Sequence, residues 1–436
     1  MTVRFFSDKT RPIHMGPYPS ELLARGKQPM LRGVPKQTQL TFKSDKPHSV
    51  INAMREHQAM LDAIRDGLIN RGQSDIPSDI QERVDHLKAF GFFNDAAAVG
   101  ICRITDTDRL EAPFRNPDID RLANDLQTRQ TKSLASGIDM IMADLKDSVQ
   151  APVTSIDDHT HAIVFLYENP RDILPDEIGT EWIEGAYAHR AALLASESAT
   201  VIANYLRVLG HSARAHTAST SDVDLGRLSV NAGLTTVENG ALTHPYVGTR
   251  FGLAVVTTSL ALAVDRPLVS LAEQPKSAFG IRWKLGTKSA KNALNAAPFA
   301  KRRFVDGTHP FETLKRVDDP TTYIDEARVA RVPKRTDMFA RAQFGDMGKL
   351  LQKASTGGLY VRKSAPSSAQ RRALGAFVLL QDGVPAVEKA RLGPTEAANL
   401  VKATSYFLGV DAVGISRCPD WTWYSHDATG EPITPI

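Results

Sequence analysis

The stretch ATVIANYLRVLGHSARAHTASTSDVDLGRLSVNAGLTTVENG, from Ala199 to Gly240, decides which fold the sequence predicts. Its first part continues a segment from Glu184 to Leu209 that is rich in Ala and Leu and lacks Pro. This segment predicts one long helix, with Gly210 as its C-cap. Arg214 to His216 then begins a strand or turn, and Asp224 to Ala232 predicts a short helix that the next glycine closes.

Further strands and helices are predicted on both sides of this stretch. Buried strands are predicted for Ala96 to Ile104, Ala162 to Tyr167 (AIVFLY) and Phe251 to Ser259. Helical spacing of apolar residues is found in Ser49 to Arg71, Ile80 to Phe90 and Ile119 to Ser148. Strands and helices alternate without the regular spacing of a doubly wound sheet. The predicted fold class is therefore α+β, with a mixed sheet flanked by helices.

Composition narrows the class of protein. A chain of 436 residues with 42% hydrophobic and 23% charged residues is typical of two or three globular domains. The net charge of +4 gives no support for nucleic-acid binding. We find neither an export signal at the N-terminus nor an apolar run of the ~20 residues that span a bilayer, so we expect a cytoplasmic protein without a membrane segment.

Two sequence echoes predict an internal duplication. LKAFGFFNDAAAVGICR (Leu87 to Arg103) and VKATSYFLGVDAVGISR (Val401 to Arg417) align without a gap at an offset of 314, with 8 of 17 residues identical. VPKQT (Val34 to Thr38) and VPKRT (Val332 to Thr336) repeat in the same order at an offset of 298. Both echoes together favour two copies of one unit.

The duplication leads to a predicted domain division. After Gly100 the first copy continues for about 168 residues, whereas only 22 residues follow Gly414. We therefore expect most of the second copy to be absent. The predicted divisions are 1–33 (N-terminal extension), 34–270 (first copy, degenerate), 271–331 (basic linker) and 332–436 (truncated start of the second copy).

Two polar motifs suggest ligand sites but have simpler explanations. DDHTH, from Asp157 to His161, could supply metal ligands, yet it precedes a strand, and a polar strand entry is favoured. GTKS, from Gly286 to Ser289, departs from the phosphate-loop pattern and is better interpreted as a basic loop. We assign no metal ligand, and Cys102 and Cys418, which do not align in the repeat, are expected to be small buried residues.

Two other groups of residues leave their alternatives open. Basic residues surround the turns of the first copy and could bind an anion, such as a phosphate or a cofactor carboxylate, or could lie on solvated helix faces. They are Arg207, Arg214, His216, Arg227, His244 and Arg250. The terminal WTWYS, around Tyr424, could wall an apolar pocket in which the phenol donates a proton, or could form a surface hairpin or a frayed end.

The quoted stretch, followed by GTRFGLAVVTTSLALAVDRPL (Gly248 to Leu268), resembles the corrinoid-binding module of reductive dehalogenases, and more distantly that of epoxyqueuosine reductases. The resemblance implies a nitroreductase-like architecture. In the family, Cys-rich segments that hold two iron–sulfur clusters follow this module. Here VSLAEQPKSAFG follows Leu268 without any Cys, which implies a degenerate first copy in front of a catalytic one.

The resemblance also implies a function for the intact family enzyme. It would remove halide from halogenated aromatic compounds such as halophenols, using cobalamin and two 4Fe–4S clusters, with electrons from a ferredoxin- or flavin-type reductase. WTWYS matches the stretch that carries the proton-donating Tyr, which makes Tyr424 the candidate catalytic residue. With two Cys the chain ligates neither cluster fully, and we expect it to be inactive alone. The alternatives are a cobalamin-binding or trafficking protein without clusters, and a structural or interaction copy with a closed pocket.

Overall fold

The structure is a computed structural model that describes residues 11–128, 154–280, 314–315, 317, 322–355 and 391–435. Within these ranges the helices are α1 (Val50–Ala63), α2 (Ile80–Phe93), α3 (Asp118–Thr128), α4 (Thr180–Ile183), α5 (Tyr187–Val208), α6 (Leu225–Asn231), α7 (Met338–Gln343), α8 (Lys349–Ser355) and α9 (Pro394–Phe407). The strands are β1 (Ala98–Arg103), β2 (Arg109–Phe114), β3 (His161–Glu168), β4 (Ala213–His216), β5 (Ser221–Val223), β6 (Thr236–Glu238), β7 (Ala241–Thr243) and β8 (Phe251–Thr258).

We call residues 34–270, the range predicted as the first copy, the first unit. A four-stranded sheet with the order β1-β3-β8-β4 forms its centre. Strand β3 pairs with β1 from Ala98↔Leu166 to Arg103↔His161 and with β8 along its whole length. The α+β class predicted from the sequence is confirmed. The described strand pairs are all antiparallel, rather than the mixture of parallel and antiparallel pairs that we expected.

Both faces of the sheet are covered, which explains the unbroken apolar run of β3. Ile163 and Phe165 point into a cluster with residues of α2 and α5, whereas Val164 and Leu166 point into a cluster with residues of α6. Successive side chains of a strand point to opposite faces, so a strand covered on both sides is apolar at every position. Gly252 of β8 allows close contact with α5, because a Cβ there would lie 2.5 Å from a backbone nitrogen of that helix.

The long helix α5 follows its prediction closely. It ends in a Schellman motif, in which Gly210, at φ +92°, donates its N–H to the carbonyl of Arg207 at 3.0 Å. Helix α1 ends at Ala63, eight residues before the predicted end at Arg71. The carbonyl of Arg65 accepts the N–H of Ala215 in β4, which draws the backbone out of the helix. The predicted helix from Ile119 to Ser148 is described only as far as Thr128.

The N-terminal extension packs where the first unit ends. Arg25 forms an isolated bridge with Leu268 and donates from Nη1 to the carbonyl of Gly233 at 2.6 Å. Gln274 donates to the carbonyl of Ala24 at 3.1 Å. The start of the predicted linker therefore lies on the first unit together with the extension, and the rest of that linker up to residue 313 is outside the described ranges.

Two pairs of elements reproduce the offset of 314 found in the sequence. Helices α2 and α9 begin and end 314 residues apart, as do the 3-10 helices Asp106–Asp108 and Asp420–Thr422. In the first unit the strand β1 lies between the two elements. The equivalent residues 412–417 form no strand with any described part of the chain. The duplication and the domain boundaries stay predictions.

The C-terminal part rests on the first unit through α9. Leu400 and Ala403 are buried in this contact, and the Ala403 Cβ lies 2.9 Å from the position that a side chain on Gly179 would take. Arg190 donates to the carbonyl of Leu408 at 2.6 Å. None of the helices in the described ranges has both the length and the apolar character needed to cross a membrane.

Candidate functional site

A buried network of charges lies at the edge of the central sheet, around Arg214 of β4. Arg214, 2% exposed, forms ion pairs with Asp66 at 2.8 Å and Asp222 at 3.2 Å, and donates to the carbonyl of Thr154. Arg65 forms a second ion pair with Asp222, at 2.8 Å. The two guanidinium groups are thus matched by two carboxylates of the same chain.

The pKa values of these carboxyl groups agree with that pairing. Burial acts to raise the pKa of Asp66, but the guanidinium groups of Arg214 and Arg207, together with hydrogen bonds from Gly67 and Thr154, outweigh it, and the pKa lies below its usual value. Burial also acts to raise the pKa of Asp222, but the charge and hydrogen bond of Arg65, together with the charge of Arg214, lower it to about 2. Both carboxylates are charged at neutral pH, and they neutralise the guanidinium groups that an incoming anion would bind.

The remaining residues of the predicted basic cluster also have internal partners. Arg207 donates to the carbonyl of Ala213 at 2.9 Å, Arg227 faces Asp108 at 3.6 Å, and Arg250 pairs with Asp172. His244 is buried and accepts the backbone N–H of Tyr246 at 3.2 Å. Neither interpretation from the sequence, an anion site or solvated helix faces, describes the whole cluster. Four of the six residues are buried and so do not lie on solvated faces: Arg207, Arg214, His216 and His244. Their described partners leave no shared anion site.

The two histidines of the first unit's edge share one hydroxyl group. Thr257 Oγ1 lies 2.7 Å from His159 Nδ1 and 2.8 Å from His216 Nε2. Burial lowers the pKa of His159 to about 4 and that of His216 well below its usual value, so both rings are neutral at pH 7. His159 Nε2 contacts Ser212 at 2.8 Å. Both ring nitrogens of His159 are therefore used inside the protein.

The DDHTH motif acts as a polar strand entry. Thr160 donates its backbone N–H to the carbonyl of Thr258 at 3.0 Å, and His161 begins β3. In the ranges that the structure describes, no three His, Cys, Asp or Glu side chains are grouped as a metal site. GTKS lies outside those ranges.

Sequence reasoning missed a buried carboxylate next to this network. Asp62, 2% exposed, accepts hydrogen bonds from Thr217 and Ser219 at 2.6 Å and from Gln58 and Asn116 at 2.9 Å. Burial raises its pKa, while these four bonds act in the opposite direction. The run of small hydroxyl residues after β4 was a possible signal, but it does not say which carboxylate it faces.

The aromatic tail, residues 421–435, is held in place by hydrogen bonds to its backbone. Arg331 donates to the carbonyls of Trp423 at 3.2 Å, Tyr424 at 2.6 Å and Ile433 at 2.5 Å, and Ser425 donates its N–H to Val332 at 2.9 Å. The Tyr424 side chain is 37% exposed, and no described residue lies within hydrogen-bond distance of its hydroxyl group. The tail is a pinned hairpin rather than a frayed end, and the role of Tyr424 stays a prediction.

The two cysteines are free and differ in environment. Cys102 is buried as expected, and its thiol points to the carbonyl of Leu228 at 3.7 Å. Cys418 is exposed, which corrects the expectation of burial, because residues 412–418 are exposed except for the half-buried Val413. The structure brings the two thiols into no common group within the described ranges.

Comparisons with known proteins found similar solved structures. No protein-family model and no curated protein matches the sequence. The solved structure of the catabolic reductive dehalogenase NpRdhA is similar with a TM-score of 0.75 and 30% identity, over 99% of this chain and 56% of that chain. A second structure, reported to suggest a mechanism for B12-dependent dehalogenation, has the same TM-score, and NpRdhA with 3-bromo-4-hydroxybenzoic acid has a TM-score of 0.74 and 31% identity. The chain spans little more than half the length of these relatives.

Proposed function

We propose that this chain, a relative of the reductive dehalogenases, is the N-terminal portion of an enzyme that reductively removes halide from halogenated aromatic compounds such as halophenols. The observation that carries this proposal is the likeness to NpRdhA over 99% of the chain, at 30% identity and a TM-score of 0.75. The substrate class is supported by the relative that holds 3-bromo-4-hydroxybenzoic acid. The cofactor, cobalamin, is supported by the relative described as B12-dependent.

The residues of the first unit do not fit a corrinoid. Around Arg214 the basic groups are matched by internal carboxylates. At Gly233 a Cβ would lie 2.4 Å from Arg25 Nη1 and 2.2 Å from the carbonyl oxygen of Arg266, so the extension fills the space beside this turn. We therefore propose that the first unit is a degenerate, structural copy and that cobalamin binds to polypeptide outside this chain.

The redox clusters, like cobalamin, do not fit the residues of this chain. Two 4Fe–4S clusters need about eight thiolates, and the chain has two Cys. We propose that both clusters, and the contact with a ferredoxin- or flavin-type reductase, belong to the remaining part of the enzyme, and that the chain alone is inactive. Two Cys in 436 residues are few for a secreted disulfide scaffold, and we propose a cytoplasmic location.

Tyr424 is the residue of this chain that we propose to donate a proton to the substrate. Its backbone position is defined by Arg331, and its side chain, 37% exposed, is open to a reaction partner. A phenol donates a proton more readily when a neighbouring positive charge stabilises the phenolate. That charge would come from the remaining part of the enzyme.

The first test separates this proposal from a cobalamin-binding protein without clusters. The 436-residue chain, supplied anaerobically with reduced methyl viologen and a bromophenol, should release no bromide. In a separate titration without reductant, it should leave the visible spectrum of hydroxocobalamin unchanged. Bromide release would contradict the inactivity of the chain. A spectral shift at micromolar cobalamin would favour the binding or trafficking alternative.

The second test addresses the enzyme in its source cells. An antibody raised against this chain should deplete an extract of its bromide-releasing activity, and it should detect an antigen of about 85 kDa, which is 47.7 kDa divided by 0.56. Full activity after depletion would contradict the proposal. In the enzyme from these cells, Tyr424→Phe should abolish bromide release. The control Tyr205→Phe makes the same change near the end of α5, in the first unit, and should retain bromide release.

A further inference from the structure

Helices α2 and α9 use opposite faces, although their residues correspond at an offset of 314. In α2 the residues Val84 (2% exposed) and Leu87 (5% exposed) pack on the central sheet. The residue of α9 equivalent to Leu87 is Val401, which is 45% exposed. Leu400, which α9 buries against the first unit, corresponds to the exposed His86. The face of α9 that would cover a sheet is therefore partly open: Val401 is exposed, and Ala398, the equivalent of Val84, is half-buried.

The segment after α9 has the sequence of a buried strand without the surroundings of one. Ile101 of β1 is fully buried, and its equivalent, Ile415, is 56% exposed. No backbone N–H of residues 412–417 donates to a carbonyl of the described chain, whereas β1 pairs with β3 at all six positions. Residues 412–417 thus leave a row of backbone donors and acceptors open, which is what an acceptor for a further strand presents.

Gly100 and Gly414, which correspond at the offset of 314, also differ in their surroundings: the first is covered and the second is not. A Cβ on Gly100 would lie 2.5 Å from the carbonyl oxygen of Ala232 and 2.9 Å from Leu234, so only glycine fits at this point of the strand. A Cβ on Gly414 would meet no atom within 4 Å, and its φ is not in the left-handed region. A glycine inside a strand weakens it unless another backbone approaches closely. Gly414 has no such neighbour among the described residues.

Apolar exposure is concentrated in this part of the chain. Ten large apolar side chains are exposed among the 69 described residues of 332–435, against seven among the 210 described residues of 34–268. The C-terminal part buries only Ala340, Ala342, Leu400 and Ala403 among the described residues. It therefore has little core of its own within the described ranges, and two of the ten exposed residues, Val401 and Ile415, belong to α9 and to residues 412–417.

We propose that the open face of α9 and residues 412–417 together form an acceptor layer for an antiparallel β-strand of the β3 type, contributed by the remaining part of the enzyme. The register follows from β1 and β3: Ala412 lies opposite the equivalent of Leu166, and Arg417 lies opposite the equivalent of His161. The incoming strand is apolar at the alternate positions that face α9, as Ile163 and Phe165 of β3 lie in one cluster with residues of α2. This inference rests on the proposed function, since it takes the occupant from the enzyme's own remaining part.

Hydrogen exchange on two forms of the protein tests the acceptor layer. One form is the recombinant 436-residue chain, and the other is the protein purified from source cells through a chromosomal tag before Met1. Amides of 412–417 should exchange freely in the first form and at least about a hundredfold more slowly in the second, as those of β1 do in both. Protection in the 436-residue chain alone, or equal exchange in the two forms, would overturn the inference.

A matched pair of glycine variants tests the equivalence of the two segments. In the 436-residue chain, Gly100→Ala should lower the melting temperature, whereas Gly414→Ala should leave it unchanged. In the protein from source cells, Gly414→Ala should remove the protection of 412–417. If that protection persists, no backbone covers Gly414 and the acceptor layer is wrong.

Bromide release from the same material distinguishes the two proposals. Protection of 412–417 without bromide release would support the acceptor layer and contradict the proposed reaction. Bromide release without protection would support the reaction and contradict the acceptor layer.

Discussion

Replacing Arg214 with Ala should destabilise the first unit strongly, because it removes a buried cation from between two carboxylates. Asp222 would keep Arg65 at 2.8 Å, but Asp66 would lose its ion pair and keep only neutral donors such as Thr154. Removing one partner of a buried ion pair costs about 3–5 kcal/mol. The Asp66 side chain is 18% exposed and keeps the nearby charge of Arg207, so we expect a cost at the lower end of this range. With a urea slope of about 2–3 kcal/mol/M, the unfolding midpoint should fall by about 1–2.5 M.

The matched control is Arg250→Ala, which removes an Arg–Asp pair of the same chemistry at the surface. The Arg250 and Asp172 side chains are 47% and 49% exposed, and exposed pairs contribute about 0–1 kcal/mol. Urea unfolding followed by circular dichroism would measure both variants. If Arg214→Ala shifts the midpoint no more than Arg250→Ala, the buried network does not stabilise the fold as we infer. If phosphate stabilises the wild type but not Arg214→Ala, the cluster is an anion site.

Three further predictions test other parts of the structure. The free energy of unfolding should be largest above pH 6.5 and should fall as the pH drops towards 4. The reason is that the folded-state pKa values of His159 and His244, about 4 and about 3, lie below the unfolded value of about 6.5. A profile that is flat from pH 7 to pH 4 would contradict this. Gly252→Ala should destabilise by about 1–3 kcal/mol or more, since the added methyl group meets the backbone of α5, and an unchanged melting temperature would show that β8 and α5 can separate. Arg331→Ala should speed hydrogen exchange and proteolysis around Trp423 without changing the melting of the first unit, and unchanged exchange there would mean that other contacts pin the tail.

Local signals in the sequence predicted the elements of the first unit well. The Ala- and Leu-rich run before Gly210 specifies α5 and its cap, and the apolar run of β3 specifies a strand covered on both faces. Both depend on neighbours in the chain. The early end of α1 at Ala63 could not be predicted, because it depends on a bond between Arg65 and Ala215, 150 residues apart.

The candidate site was less predictable, because its chemistry depends on partners that are distant in sequence. The six basic residues look alike in the sequence, yet Arg214 pairs with Asp66, 148 residues away, and Arg250 with Asp172, 78 residues away. Asp62 has no distinguishing neighbours in the chain, although four donors converge on it in the fold. Pairing over such separations decides whether a charge is available to a ligand, and composition does not contain that information.

The bridge between Arg25 and Leu268 has a consequence for how a protein of this kind can grow. The polypeptide leaves the first unit beside the point where it entered, so a further unit can be joined to the exit without winding around what came before. Copying such a unit end to end would disturb neither the ancestral fold nor its duplicate. A gene that encodes a unit of this shape can therefore lengthen by repetition, and each copy is then free to lose or keep its chemistry.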